Sequence, residues 1–214
     1  MEEKERTRLV LKRLAEYYPE AKTGLNYDNP FQLLVATVLS AQTTDEQVNK
    51  ITAGLFKAVP SVDVLSRMKP SELEPFIKQC GLYHHKSRYL IETARILVHR
   101  HSGRVPDELD ELIKLPGVGR KTANIIISSA YGKPAIAVDT HVFRVSKRLG
   151  LADGSNVDLV EKQLENVIPV AEWSATHHRL IGHGRSFCKA RSPQCGNCFL
   201  ADLCMYVRER GETQ

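Results

Sequence analysis

The sequence predicts an all-α protein, on three observations. Apolar residues recur at helical spacing, as in Val10, Leu14, Tyr17 and Tyr18, in Leu90, Ala94, Leu97 and Val98, and in Val160, Leu164, Val167 and Ile168. Helix start and stop signals bracket such stretches. No sustained alternation of apolar and polar residues, the mark of a half-buried strand, occurs anywhere.

Taken in chain order, Asn29 followed by Pro30 reads as a cap and first turn. It opens Phe31 to Ala41, which is apolar on nearly every side and so belongs in the middle of a bundle. Ser71 with Glu74, and Ser155 with Asp158, have the spacing of capping boxes. Gly24, Gly81, Gly132 and Gly150 stand at predicted helix stops. Asp107 to Lys114 reads as a short helix with Leu109, Leu112 and Ile113 on one side. Near Gly182 the composition shifts toward Cys, Gly and basic residues, and no repeat of fixed period is present.

The 214 residues suffice for one large domain or two small ones, and a hydrophobic fraction of 42% is that of an ordinary globular chain. The net charge is +5 and unevenly spread. Trp173 to Ala201 and Leu112 to Val138 hold no acid, and Pro75 to Pro106 holds only Glu92 among six Lys and Arg residues. These segments either converge on a phosphate-binding face or are solvated helix faces balanced by acids elsewhere. The charged Met1 to Arg8 lacks the apolar core of a signal peptide. Phe31 to Ala41 and Ile125 to Ala130 are too short to span a bilayer. The expectation is an intracellular protein with no membrane partner (cytoplasm or nucleoid if bacterial) and no disulfides.

Two constellations carry chemistry. In the first, Pro116 ends a helix, and Gly117 and Gly119 lead into a second helix that begins at Arg120 and Lys121. Glycines allow backbone geometry and close approach that side chains block. The N-terminus of the second helix presents N–H groups at the positive end of a dipole, which suits a phosphate. Lys121 in that first turn is either another phosphate contact or a nucleophile. Asp139, in Val138-Asp139-Thr140-His141, reads as a helix cap.

In the second constellation, Cys188, Cys195, Cys198 and Cys204 are spaced Cys-x6-Cys-x2-Cys-x5-Cys. Four cysteines so close in an intracellular chain mean a metal site, and zinc and an iron–sulfur cluster both accept four thiolates. Cys80 stands apart and reads as a small buried apolar residue.

Leu115-Pro116-Gly117-Val118-Gly119-Arg120-Lys121, then Val138-Asp139-Thr140-His141, then the four cysteines, resemble the endonuclease III family. These are pyrimidine-specific DNA glycosylase/lyases of the helix-hairpin-helix superfamily. The match runs nearly the full chain. The resemblance implies a two-lobed helix-hairpin-helix DNA glycosylase fold. Residues 22–132 would form a six-helix bundle with the hairpin at about 108–130, and 1–21 plus 133–214 an iron–sulfur cluster domain, with DNA held between the lobes. It implies Lys121 as nucleophile, Asp139 as essential carboxylate, and a [4Fe–4S] cluster on the four cysteines. It places Gln42 in the space vacated by a flipped nucleotide, with Leu82 as a wedge in the opposite strand; read alone, Leu82 is an ordinary core leucine. Gly117, Gly119, Arg120, Lys189 and Arg191 would meet the DNA backbone. His141 would line the base pocket, or be a polar residue of a first helical turn.

The implied partner is double-stranded DNA containing oxidised pyrimidines or abasic sites, bound by a monomer. Two alternatives stand beside this. An adenine mismatch glycosylase of the same superfamily usually lacks the lysine at position 121 and has a further C-terminal domain, whereas ten residues follow Cys204 here. A non-catalytic iron–sulfur DNA-binding protein would need neither Lys121 nor Asp139.

Overall fold

The computed structural model describes residues 2–211, and among them every regular element is helical. The chain divides into two compact units. Gly24–Lys133 is one, and the sequence on either side of it forms the other.

The contiguous unit is built around α2 (Pro30–Leu39), the run that is apolar on nearly every side. Asn29 caps it by accepting from the Gln32 N–H at 3.0 Å, with Pro30 in the first turn. Leu33, Leu34, Ala36 and Leu39 are buried almost completely. Truncating one such leucine to alanine typically costs about 2–5 kcal/mol. The one hydroxyl in this buried stretch, Thr37, donates back to the Leu33 carbonyl at 2.7 Å. Helices α3 (Asp45–Ala58), α6 (Tyr83–His101) and α8 (Arg120–Tyr131) pack on α2, while α4 (Val62–Arg67) and α5 (Pro70–Ile77) pack on α6.

The single turn α7 (Leu109–Leu112) precedes α8 and is shorter than the Asp107–Lys114 helix expected. Its start is delayed because Glu108 is extended and both Asp107 and Glu108 pair with Lys133. Its end comes early because Lys114 and Leu115 donate three residues back rather than four.

The second unit contains α1 (Glu3–Tyr17), α9 (Thr140–Leu149), α10 (Val157–Val167), α11 (Trp173–Ser186) and α12 (Met205–Glu209), with three 3₁₀ turns. Val10, Leu14, Val142, Val145, Val160, Leu164 and Leu180 meet in its core. Arg6 is buried there, and its guanidinium satisfies the carbonyls of Leu149, Gly150 and Leu203. No periodicity argument exposes that role.

Gly132 and Gly150 end α8 and α9 in left-handed geometry, as expected. Four other signals were misplaced. Pro70 takes the first position of α5, which makes Lys69 the cap and Glu72 its capping-box partner rather than Ser71 and Glu74. Asn156, not Ser155, caps α10 by accepting from Leu159 N–H. Gly24 lies beyond the end of α1 and instead admits the close approach of Asp45. Gly81 lies beyond α5, whose cap is Lys78.

Candidate functional site

The hairpin before α8 follows from a short turn. Val118 N–H closes onto the Leu115 carbonyl at 3.1 Å, with Pro116 second and Gly117 third, the residues a type II turn favours. Gly117 has φ +75°, and a side chain there would meet the Tyr89 ring at 3.1 Å. Thr93 donates to the Pro116 carbonyl at 3.0 Å and pins the turn to α6. Gly119 differs. Its backbone is extended and nothing lies within 4 Å of where a Cβ would stand. The fold itself therefore makes no steric demand for glycine at 119. Gly119 precedes α8 without a capping side chain, and Arg120 and Lys121 stand exposed in the first turn.

In the same unit, three non-glycine residues hold left-handed backbone: Ser102 at the end of α6, and one in each of two loops outside the hairpin. Gln42 has φ 58° in the turn after α2, and Leu82 has φ 59° at the start of α6. Both are exposed, Leu82 to 58%. A leucine so displayed is not the ordinary core residue that sequence alone suggests.

The second unit holds Asp139, His141 and the cysteines. Asp139 caps α9, its Oδ1 accepting from Val142 N–H at 2.8 Å. His141, in the first turn, takes a hydrogen bond at Nδ1 from Arg144 at 3.2 Å. Guanidinium only donates, so Nδ1 is the acceptor and Nε2 carries the proton when the ring is neutral. Gly184 makes room for this ring, since a Cβ there would stand 3.0 Å from Nδ1.

Cys188, Cys195, Cys198 and Cys204 all line one hollow, with His183, Phe187 and Tyr206 around it. Among the described residues no three His, Cys, Asp or Glu side chains are drawn together as ligands of a single metal ion. Tetrahedral zinc would require four sulfurs about 2.3 Å from one point. Burial pushes the Cys198 thiol up to about 11, and the charges of the other three cysteines raise it further. Burial raises Cys204 as well, and the charges of Cys188 and Cys195 add to it. Four cysteines in one apolar hollow are a donor set for a polynuclear cationic group, whose charge would hold them as thiolates.

Between the first two cysteines, Lys189 and Arg191 are exposed on a loop closed by Gln194 N–H to the Phe187 carbonyl at 2.9 Å. Two arginines of α9 hold this loop from below, and sequence reasoning missed both. Arg144 donates to the Cys188 carbonyl at 3.0 Å. Arg148 donates to those of Lys189 and Ala190 and lies over the Tyr206 ring. Their four-residue spacing, one helical turn, just after Asp139 was the available signal. Cys80 is buried in the other unit, as expected.

A family model described as HhH-GPD superfamily base excision DNA repair protein matches residues 35–170. Another, the iron–sulfur binding domain of endonuclease III, matches residues 188–204, from the first of the four cysteines to the last. Endonuclease III of Escherichia coli (strain K12) is 46% identical over 197 residues, covering 92% of this chain and 93% of that protein. The enzyme of Bacillus subtilis (strain 168) is 46% identical over 201 residues, covering 94% and 92%. The chain belongs to the endonuclease III family.

Endonuclease III structures agree with this. A non-covalent endonuclease III–DNA complex superposes with a TM-score of 0.92 at 48% identity, covering 100% of both chains. A trapped endonuclease III–DNA covalent intermediate gives 0.92 at 48%, covering 99% and 100%. A thermostable thymine-DNA glycosylase at 23% identity and TM-score 0.86 shares the fold. As a member of the endonuclease III family this protein is a base-excision repair enzyme, a DNA glycosylase and abasic-site lyase with a [4Fe–4S] cluster. Among the described residues no helix is long and apolar enough to cross a membrane.

Proposed function

We propose that the enzyme removes oxidised pyrimidines from duplex DNA and cuts the strand at the resulting abasic site, with Lys121 as nucleophile. The observation that carries this is Lys121 itself, exposed in the first turn of α8 directly after an uncapped hairpin. A covalent intermediate with DNA has been trapped for a relative at 48% identity, and such an intermediate requires a nucleophilic side chain.

The Lys121 amine attacks C1′ of the sugar. The bond from C1′ to the base breaks, and the base leaves with the bonding pair and takes up a proton. Opening of the sugar ring gives a Schiff base between Nζ and C1′. The iminium acidifies the C2′ proton; its removal sends electrons toward C3′ and expels the 3′ phosphate by β-elimination. Water then hydrolyses the imine and frees the lysine. A water nucleophile would release the base and stop there.

The remaining residues take supporting parts. The N-terminus of α8, with Gly117, Gly119 and Arg120, receives a backbone phosphate. Asp139 stabilises positive charge developing on the sugar. Gln42 and Leu82 fill the space left by the flipped nucleotide, and His141 lines the base pocket. Lys189 and Arg191 meet phosphates. Cys188, Cys195, Cys198 and Cys204 hold the cluster, whose part is structural: it fixes the ends of the basic loop. The working species is a monomer made of a hairpin-bearing bundle, about 22–132, and a cluster domain.

Sodium borohydride added to the protein with a duplex containing one thymine glycol is expected to give a covalent protein–DNA band that Lys121→Gln abolishes. Base release without a band would point to a water-using glycosylase of the adenine type. Neither release nor band would show that thymine glycol is not the substrate.

A further inference from the structure

Gln42 and Leu82, both exposed and both in left-handed backbone, stand on loops that touch. A Cβ on Gly81 would lie 3.7 Å from the Gln42 carbonyl oxygen and 3.8 Å from its Oε1. The Gln42 turn is closed by Thr43 N–H donating to the Ser40 carbonyl at 3.1 Å, and the Leu82 loop runs directly into α6.

One residue joins them from beneath. Lys86 is 4% exposed. Its backbone N–H donates to the Leu82 carbonyl at 3.0 Å. Its Nζ donates to the carbonyls of Leu39 at 2.8 Å and Ala41 at 2.6 Å, the residues just ahead of Gln42. Among the described residues it has no carboxylate partner. A buried ammonium without a counter-ion is a poor way to stabilise a core. Its donors are, however, a good way to tie α6, which the Leu82 loop leads into, to the two carbonyls that lead into Gln42. Capping the end of α2 alone would engage Leu39 but would not require the bond to Ala41 beyond the helix.

We infer that Lys86 is a positioning residue that binds the Gln42 turn and the Leu82 loop into one rigid two-pronged unit, so that both prongs enter the duplex together when the damaged nucleotide is extruded. This rests on the reading of Gln42 and Leu82 as gap-filling residues. Duplex opening is then sensitive to Lys86, while chemistry on a nucleotide already out of the stack is not.

The test uses the cluster-loaded full-length protein and two substrates. One is a duplex with thymine glycol paired to adenine and 2-aminopurine beside the pair, whose fluorescence reports unstacking. The other carries a preformed abasic site in an unpaired bulge. Lys86→Met, similar in length and without donors, is expected to slow both the fluorescence rise and single-turnover base release by about ten- to a hundredfold. Its strand cleavage in the bulge stays near the wild-type rate, and Lys86→Arg recovers most of the loss. Unchanged opening in Lys86→Met overturns the inference, and so does equal loss on both substrates. Should Lys86→Met fail to fold, Lys86→Gln, which keeps one donor group, decides by the same ratio of paired to bulged rates. Gln42→Ala and Leu82→Ala run alongside. If neither alters the fluorescence rise, the gap-filling reading itself fails; if both do and Lys86→Met does not, only the role of Lys86 fails.

Discussion

Arg148 donates from Nη1 to the carbonyl oxygen of Lys189 at 2.7 Å, so a basic residue of α9 carries the backbone of a basic residue in the cysteine loop. The same guanidinium reaches the Ala190 carbonyl at 3.2 Å and lies over the Tyr206 ring at 4.7 Å. Arg148→Met is expected to keep the packing and lose these bonds. Trypsin would then cut after Lys189 and Arg191 faster than in the wild type. Affinity for abasic-site DNA would fall about tenfold, about 1.4 kcal/mol. Proteolysis at the wild-type rate would show that Arg144 and the cysteines fix the loop without Arg148.

The two hairpin glycines are expected to separate stability from binding. Gly117→Ala places a Cβ on a φ of +75° and against Tyr89, so it is expected to cost about 1–3 kcal/mol of stability. Gly119→Ala meets open space. It is expected to cost at most about 1 kcal/mol as a poorer cap, yet to weaken DNA binding markedly. Urea melts and fluorescence anisotropy distinguish them. Full DNA affinity in Gly119→Ala would mean that no phosphate approaches the backbone there.

Asp139 has a structural duty that its variants can isolate. Asparagine caps a helix about as well as aspartate, so Asp139→Asn should keep the bond to Val142 N–H while removing the charge. Asp139→Ala should in addition cost about 1 kcal/mol of stability. Asp139→Asn is expected to lose base excision by about a hundredfold or more and to keep lyase activity on a preformed abasic site. Equal loss of both activities would give the carboxylate a role in the β-elimination as well.

Burial pushes the Lys86 ammonium below the range of a free lysine, with the Cys80 charge partly offsetting this. An unfolded lysine titrates near 10.4. Between the folded and unfolded values the unfolded chain binds a proton that the folded chain has released. Unfolding free energy therefore rises with pH across that window, and below it the buried charge is a constant cost. Cys80, the titratable neighbour, is raised by burial and works in the opposite sense, but it is present in both chains compared. The stability of wild type relative to Lys86→Met should improve as pH is raised toward 10. A difference that stays flat in urea melts across this range would mean that Lys86 keeps an ordinary proton affinity.

What could be read from the sequence was local. Asn29–Pro30, the apolar run of α2, and the stops at Gly132 and Gly150 all act within a few residues. The capping signals failed where two candidates stood side by side, as Ser155 and Asn156 do, because spacing alone does not say which residue is extended. Cysteine spacing and the Gly-x-Gly hairpin point to the candidate site for the same local reason. The roles of Arg6 and Lys86 were not legible, and the spacing of Arg144 and Arg148 gave no sign of their partners. Each is a cation whose partners are backbone carbonyls, most of them far along the chain, and a carbonyl leaves no mark in a sequence. Leu82 erred the other way, since its exposure depends on a backbone conformation that its side chain does not favour.

The bonds of Arg6 also set a schedule for synthesis. The segment Gly24–Lys133 is contiguous, so its internal contacts become available once residue 133 has left the ribosome. Arg6 must wait for a carbonyl 197 positions downstream, at Leu203. At roughly 5–20 residues per second, the first helix emerges many seconds before its partners exist. During that interval Val10 and Leu14 have no core to enter. The hairpin-bearing unit can therefore reach its native form first, and the cluster-bearing unit closes only when both ends of the chain are present.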